Sequence, residues 1–145
     1  MIDADLVTRK LVLVLQDVAA LGPLLRVTRE AFLTTPTNQA LAERYLERMI
    51  GRMIDVNYHL ITELGGSPPK DYYDSFLRLA DYAVLDLEFA RQVAGCAGLR
   101  NRIAHEYDDI DPDRIFDALP VAQRDVTEYV RQVNAYLERP GIDTP

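Results

Sequence analysis

The chain is 145 residues long, 48% hydrophobic and 27% charged, with a net charge of −7 and a pI near 4.8. That size and balance predict a single globular domain over residues 1–145 and exclude a disordered chain. The acidic balance argues against a general nucleic-acid binder, since such proteins tend to be basic.

Taken in order, the segments are helical almost throughout. The opening Met-Ile-Asp-Ala-Asp places acids where a secretory leader needs cations, so a cytoplasmic location is expected. A first helix is predicted from about Asp5 to Leu21, with Leu6, Val7, Leu11, Val14, Val18 and Leu21 on one broad face and Asp3 or Asp5 near its positive end. Its longest aliphatic run, Leu11 to Leu15, is far shorter than the ~18 residues of a membrane span. Gly22-Pro23 breaks or bends it. A second helix is predicted from about Asn38 to Leu64, with Thr37 as N-cap and Leu46, Met49, Met53, Leu60 and Leu64 on one face. His59 lies among apolar neighbours and reads as structural. Gly65-Gly66-Ser67-Pro68-Pro69 is a clear stop.

A third helix is predicted from Tyr72 to about Ala83, with Tyr72, Phe76, Leu79 and Tyr82 on one face. A fourth begins near Leu85 or Asp86 and reaches His105. The last starts at Asp111-Pro112, an acidic cap followed by Pro at the first helical position. It runs through Ile115, Leu119, Ala122, Val126, Val130, Val133 and Leu137, with a kink or restart expected at Pro120. Pro140-Gly141 closes the ordered part. The expected fold is an all-α bundle of about five helices. Tyr45, Tyr72, Tyr73, Tyr82, Tyr129 and Tyr136 read as core and rim aromatics.

The fourth helix carries the candidate chemistry. Residues 89–105, FARQVAGCAGLRNRIAH, contain Arg91, Arg100, Arg102 and His105 and no carboxylate, in a chain with 23 acids. Its Cys96 is the only cysteine, which excludes an intrachain disulfide and a thiolate metal cluster. No metal site and no cofactor site stand out. A local basic patch of this size attracts a phosphate without coating a duplex; equally, cations at a helix C-terminus complement the dipole. The chain carries 14 Arg against 2 Lys, and Arg is the better planar phosphate clamp. Ala90, Ala94, Ala97, Asn101 and His105 share one side, so a second backbone can approach closely, either within the bundle or from a second subunit.

Arg100 and His105 stand about 140° apart on an ideal helix. They meet only if the helix end unwinds or if two copies face each other. Together they have the means to cut RNA. An imidazole with an ordinary pKa near ~6.5 takes a proton from a 2′-hydroxyl. A guanidinium holds the phosphate and offsets the added charge of the transition state. Asn101, one turn before His105, is placed to orient the ring or the phosphate, and Arg102 to touch an RNA phosphate.

The string Arg100-Asn101-Arg102-Ile103-Ala104-His105-Glu106-Tyr107 fits R-x4-H-x-Y with a polar residue after the Arg. It resembles the signature of the HEPN superfamily, in particular its HepT-like toxins. The likeness runs from about residue 5 to 139 and includes ERYLERMIGRMIDVNYHLI, YYDSFLRLADYAVLD and GLRNRIAHEYDDID. It implies a HEPN-like bundle acting as a metal-independent endoribonuclease toxin of a type VII-like toxin–antitoxin pair. Such toxins are usually homodimers whose two motifs line a shared cleft. Carried over, Arg100 and His105 are the catalytic pair and Asn101 their support. The implied partner is an MntA-like nucleotidyltransferase antitoxin that attaches AMP to the motif tyrosine, here Tyr107. A bulky anion there would repel and obstruct RNA. Glu106, Asp108 and Asp109 weigh against strong unassisted RNA binding.

Two other readings stay open at this level. One is a non-catalytic helical module that docks onto a nucleotidyltransferase; the acidic surface suits a protein partner. The other is a helical dimer in which RNRIAHEY is only a capped helix end.

Overall fold

The computed structural model describes residues 1–105 and 110–142, and every regular element among them is an α-helix. In chain order these are α1 (Ala4–Ala20), α2 (Gly22–Leu25), α3 (Arg29–Thr34), α4 (Pro36–Glu63), α5 (Tyr72–Asp81), α6 (Leu87–Val93), α7 (Gly95–His105) and α8 (Pro112–Leu137). Asp3 caps α1 by accepting the Leu6 N–H at 2.9 Å. His59 Nε2 accepts the backbone N–H of Asp3 at 3.0 Å, so this histidine is structural, as its apolar setting predicts.

The 28-residue α4 is the central post. It packs on α1, α3, α5, α7 and α8. Leu46, Met49, Met53, Leu60 and Ile61 are wholly buried along it, as the three- and four-residue spacing requires. From α1 come Val7, Leu11 and Val14, and from α8 Ile115, Val126, Tyr129 and Val133, into one continuous apolar cluster. At its C-terminus α4 closes with the paired bonds of a Schellman motif: Gly66 N–H to Ile61 O at 2.9 Å and Gly65 N–H to Thr62 O at 3.1 Å. Gly65 supplies the positive φ of 84° that the motif needs.

Three local expectations are corrected, and one short helix is added to the predicted set. Helix α4 starts at Pro36 with Thr35 as its N-cap, so Thr37 lies inside the first turn; proline tolerates that first position because its missing N–H would go unpaired anyway. The six-residue α3, capped by Thr28 through the Ala31 N–H, is too short to show a period. The predicted fourth helix is two, α6 and α7, separated at Ala94. Helix α8 runs unbroken through Pro120 rather than restarting. Pro120 is exposed while Leu119 and Ala122 are buried. One backbone bond is lost on the solvent side, and the buried face holds the helix through it.

Candidate active site and its arginine groove

Helix α7 presents the predicted motif, and its geometry separates the motif's members. With Arg100 set at 0° on a helical wheel, Asn101, Arg102, Ile103 and His105 fall near about 100°, 200°, 300° and 140°. Ile103 is buried, which fixes the orientation of the whole turn. Asn101, Arg102 and His105 are exposed and share the outward arc, while Arg100 is half-buried on its flank. His105 ends the helix, where with Arg102 it complements the dipole. Its ring has no partner among the described residues. Tyr107, Glu106, Asp108 and Asp109 lie outside the described residues.

Arg100 points toward α4. Its guanidinium carbon lies 5.4 Å from the centre of the Tyr72 ring, in a cation–π contact. Tyr72 meets Tyr58 edge-on at 6.2 Å. Burial, and then the neighbouring Tyr72, Asp71 and Asp74, push the Tyr58 hydroxyl above its usual range, so it stays a neutral donor. These residues line a groove of about 600 Å³ together with Arg44, Glu47, Arg48, Gly51, Arg52, Ile54 and Asp55 of α4. His105 does not line it. Arg102 faces a different groove, of about 700 Å³, between α7 and α8, beside Leu99, Arg114 and Asp125. Two residues of separation turn the side chain by about 200°, which puts Arg100 and Arg102 on opposite walls of α7.

Three of the groove's arginines were not singled out from the sequence. Arg44, Arg48 and Arg52 repeat at four-residue steps and form one stripe on α4. The spacing was readable, but the apolar face of the same helix dominates its pattern. Behind the stripe Asp17 of α1 is 3% exposed; it accepts a hydrogen bond from Arg52 Nη1 at 2.9 Å and forms an ion pair with Arg48 Nη2 at 3.0 Å. The Nε–H groups of Arg48 and Arg100 are buried with no acceptor among the described residues.

The small-residue side of the predicted fourth helix has its answer here. Ala90, Ala94 and Ala97 are buried in the chain's own core, so they serve packing within the bundle and do not form a surface seam. Cys96 is buried too, and desolvation, then Asp125, pushes its thiol up to about 12, far from a reactive thiolate. Among the described residues no His, Cys, Asp and Glu group has the arrangement to hold a metal ion. No helix among them is long and apolar enough to cross a membrane.

The family described as Ribonuclease HepT-like matches residues 14–133. A tRNA nuclease HepT from Aphanizomenon flos-aquae is 37% identical over 111 residues, covering 77% of this chain and 76% of that protein. A putative RNase from Archaeoglobus fulgidus is 26% identical over 86 residues, 59% of this chain and 64% of its own. Among solved structures, a toxin–antitoxin complex with AMP-PNP superposes with a TM-score of 0.82 at 18% identity, over 90% of this chain and 98% of that one. The tri-AMPylated Shewanella oneidensis HEPN toxin in complex with MNT antitoxin gives 0.81 at 19%, over the same shares of each chain.

Proposed function

Because this chain belongs to the ribonuclease HepT-like family, and is an endoribonuclease on that ground, we propose that it cuts RNA as a toxin, through Arg100 and His105 and without a metal. The carrying observation is the complete R-x4-H motif on an accessible helix end, with Arg100 already oriented into a groove. His105 takes the proton of a 2′-hydroxyl, and that oxygen bonds to the adjacent phosphorus. The bond from phosphorus to the 5′ oxygen breaks, and the departing oxygen receives a proton. Arg100 offsets the charge that builds on the phosphoryl oxygens. Asn101, on the same arc as His105, supports the ring or the phosphate, and Arg102 touches a phosphate from the α8 side. Since Arg100 and His105 point to different surfaces of one chain, the working site takes one from each of two copies in a homodimer. A tRNA is the first substrate to try, as the Aphanizomenon flos-aquae relative is named for that activity.

The same reading includes control by a nucleotidyltransferase antitoxin that attaches AMP to Tyr107; the Shewanella oneidensis toxin is described as tri-AMPylated and bound to its MNT antitoxin. The test is RNA cleavage and growth inhibition by the wild type, Arg100→Ala and His105→Ala, with intact-mass measurement of wild type and Tyr107→Phe after exposure to antitoxin and ATP. The expected result is loss of both activities in the first two variants, by a factor of about 10² or more, and loss of AMP uptake in the third. The separation of His105 from Arg100 within one chain also suits a non-catalytic module docked on a nucleotidyltransferase. RNA cleavage that depends on His105 removes that reading; undiminished toxicity in both alanine variants removes the enzyme.

A further inference from the structure

We infer that the groove between α4 and α7 binds the sugar–phosphate backbone of the RNA strand beside the scissile linkage, with Arg44, Arg48 and Arg52 as its track. The inference rests on the ribonuclease reading for the identity of the polymer, and on the groove alone for the binding. Arg44, Arg48, Arg52 and Arg100 line one concavity. The three on α4 are spaced one turn apart, about 6 Å along the axis, a step of the same order as that between phosphates of a single strand. Asp17 fixes two of the guanidiniums from behind, at 3.0 and 2.9 Å. Holding them in place in advance lowers the ordering cost of binding.

Two further features select a phosphate. The Nε–H groups of Arg48 and Arg100 are buried donors with no acceptor among the described residues, and buried donors are costly to leave unmade. A small shift of either guanidinium toward the groove would bring its Nε–H within reach of a phosphate oxygen, and the groove has open space at Gly51, where an added Cβ would touch nothing within 4 Å. Tyr58 and Tyr72 add ring faces and edges of the kind on which bases of a single strand stack. The carboxylates on the same walls limit the charge. Asp17 is spent on Arg48 and Arg52, Asp55 is paired with Lys10 Nζ at 3.3 Å, and Glu47 stands among the arginines. A track of a few contacts on an otherwise acidic protein is the result, suited to holding one strand at the site and not to coating a duplex.

The test titrates an end-labelled transfer RNA with the full chain carrying His105→Ala, which stops cleavage, and follows anisotropy over a series of salt concentrations. Two substitutions are then added separately. Arg44→Gln removes an exposed guanidinium that pairs with nothing described. Gly51→Glu introduces an acid into the groove without disturbing Asp17, at a helical position where any side chain favours the helix. Each is expected to weaken binding about 3- to 10-fold, and Arg44→Gln to flatten the log–log salt slope by about 0.7, one single-strand phosphate contact. With His105 restored, Arg44→Gln is expected to raise KM more than it lowers kcat. Unchanged affinity and slope in both folded variants overturns the inference, as does failure of the His105→Ala chain to bind the transfer RNA. Loss of binding that coincides with conversion of an oligomer to monomers in light scattering also overturns it, and assigns the groove to a protein contact. His105-dependent cleavage is read separately, so failure of the catalytic reading leaves a distinct trace.

Discussion

Tyr129 connects the core to the groove wall through four side chains or carbonyls. It is wholly buried, and its hydroxyl reaches Asn57 Oδ1 at 2.5 Å and the Met53 carbonyl at 3.1 Å. Asn57 in turn donates to Ser75 Oγ at 3.0 Å, and Ser75 donates to the Tyr72 carbonyl at 2.6 Å. Three helices are joined by this chain of bonds, and its last member carries the ring under Arg100. Burial holds the Tyr129 phenol well above its ordinary range, so it remains a proton donor at any working pH. Replacing Tyr129 by Phe keeps the ring and its edge-on contact with Phe76, 5.9 Å away, but leaves the Asn57 carboxamide oxygen buried without this donor. A loss of about 1–3 kcal/mol in unfolding free energy is expected, read by denaturant titration. A change indistinguishable from zero would mean that Asn57 finds another donor and that the chain of bonds is not continuous. The sequence marks Tyr129 as a core aromatic, but its hydroxyl partners lie 72 and 76 positions away and follow only from how α8 packs on α4.

At the scale of elements, two helix ends use one device with different residues. Helix α4 ends at Gly65-Gly66, and the glycines announce the turn in the sequence. Helix α5 ends in the same paired bonds, Val84 N–H to Leu79 O at 2.9 Å and Ala83 N–H to Ala80 O at 3.1 Å. The left-handed position is filled there by Ala83, with φ of 57°. No glycine marks that stop, and the predicted helix accordingly runs on to Ala83 where the real one ends at Asp81. An alanine in this region is strained by about 1 kcal/mol relative to glycine. Ala83→Gly is therefore expected to stabilise the protein by about 0.5–1 kcal/mol, raising the thermal midpoint by a few degrees. A lower midpoint would show that the greater freedom of glycine in the unfolded chain outweighs the relieved strain. The same contrast explains what could be read beforehand. The long faces of α1, α4 and α8 are periodic and visible; the six-residue α3, the break at Ala94 and the continuity through Pro120 depend on packing. So does the candidate site. Arg100, Asn101 and His105 are evident as a motif, whereas the Arg44, Arg48 and Arg52 stripe gains meaning only when α7 lies against α4.

At the scale of the whole molecule, the separation of Arg100 from His105 becomes a prediction about symmetry. Arg100 is turned into the α4 groove and His105 lies about 140° around the same helix, so a site made from one chain would need the end of α7 to unwind. A two-fold dimer offers another solution: each of its two sites takes Arg100 from one copy and His105 from the other. The two arrangements differ in a mixture of inactive chains. Arg100→Ala and His105→Ala copies, each inactive alone, form mixed dimers as half of the population if they pair at random. Every mixed dimer holds one site with both groups missing and one with both present. Equal amounts, unfolded and refolded together, are therefore expected to regain about one quarter of the wild-type cleavage rate. If each chain built its own site, the same mixture would stay inactive, because every site would lack one of the two groups. Native mass spectrometry of the mixture removes the remaining ambiguity. Mixed dimers present in the statistical proportion, with no recovered cleavage, would place the guanidinium and the imidazole of each site in a single chain.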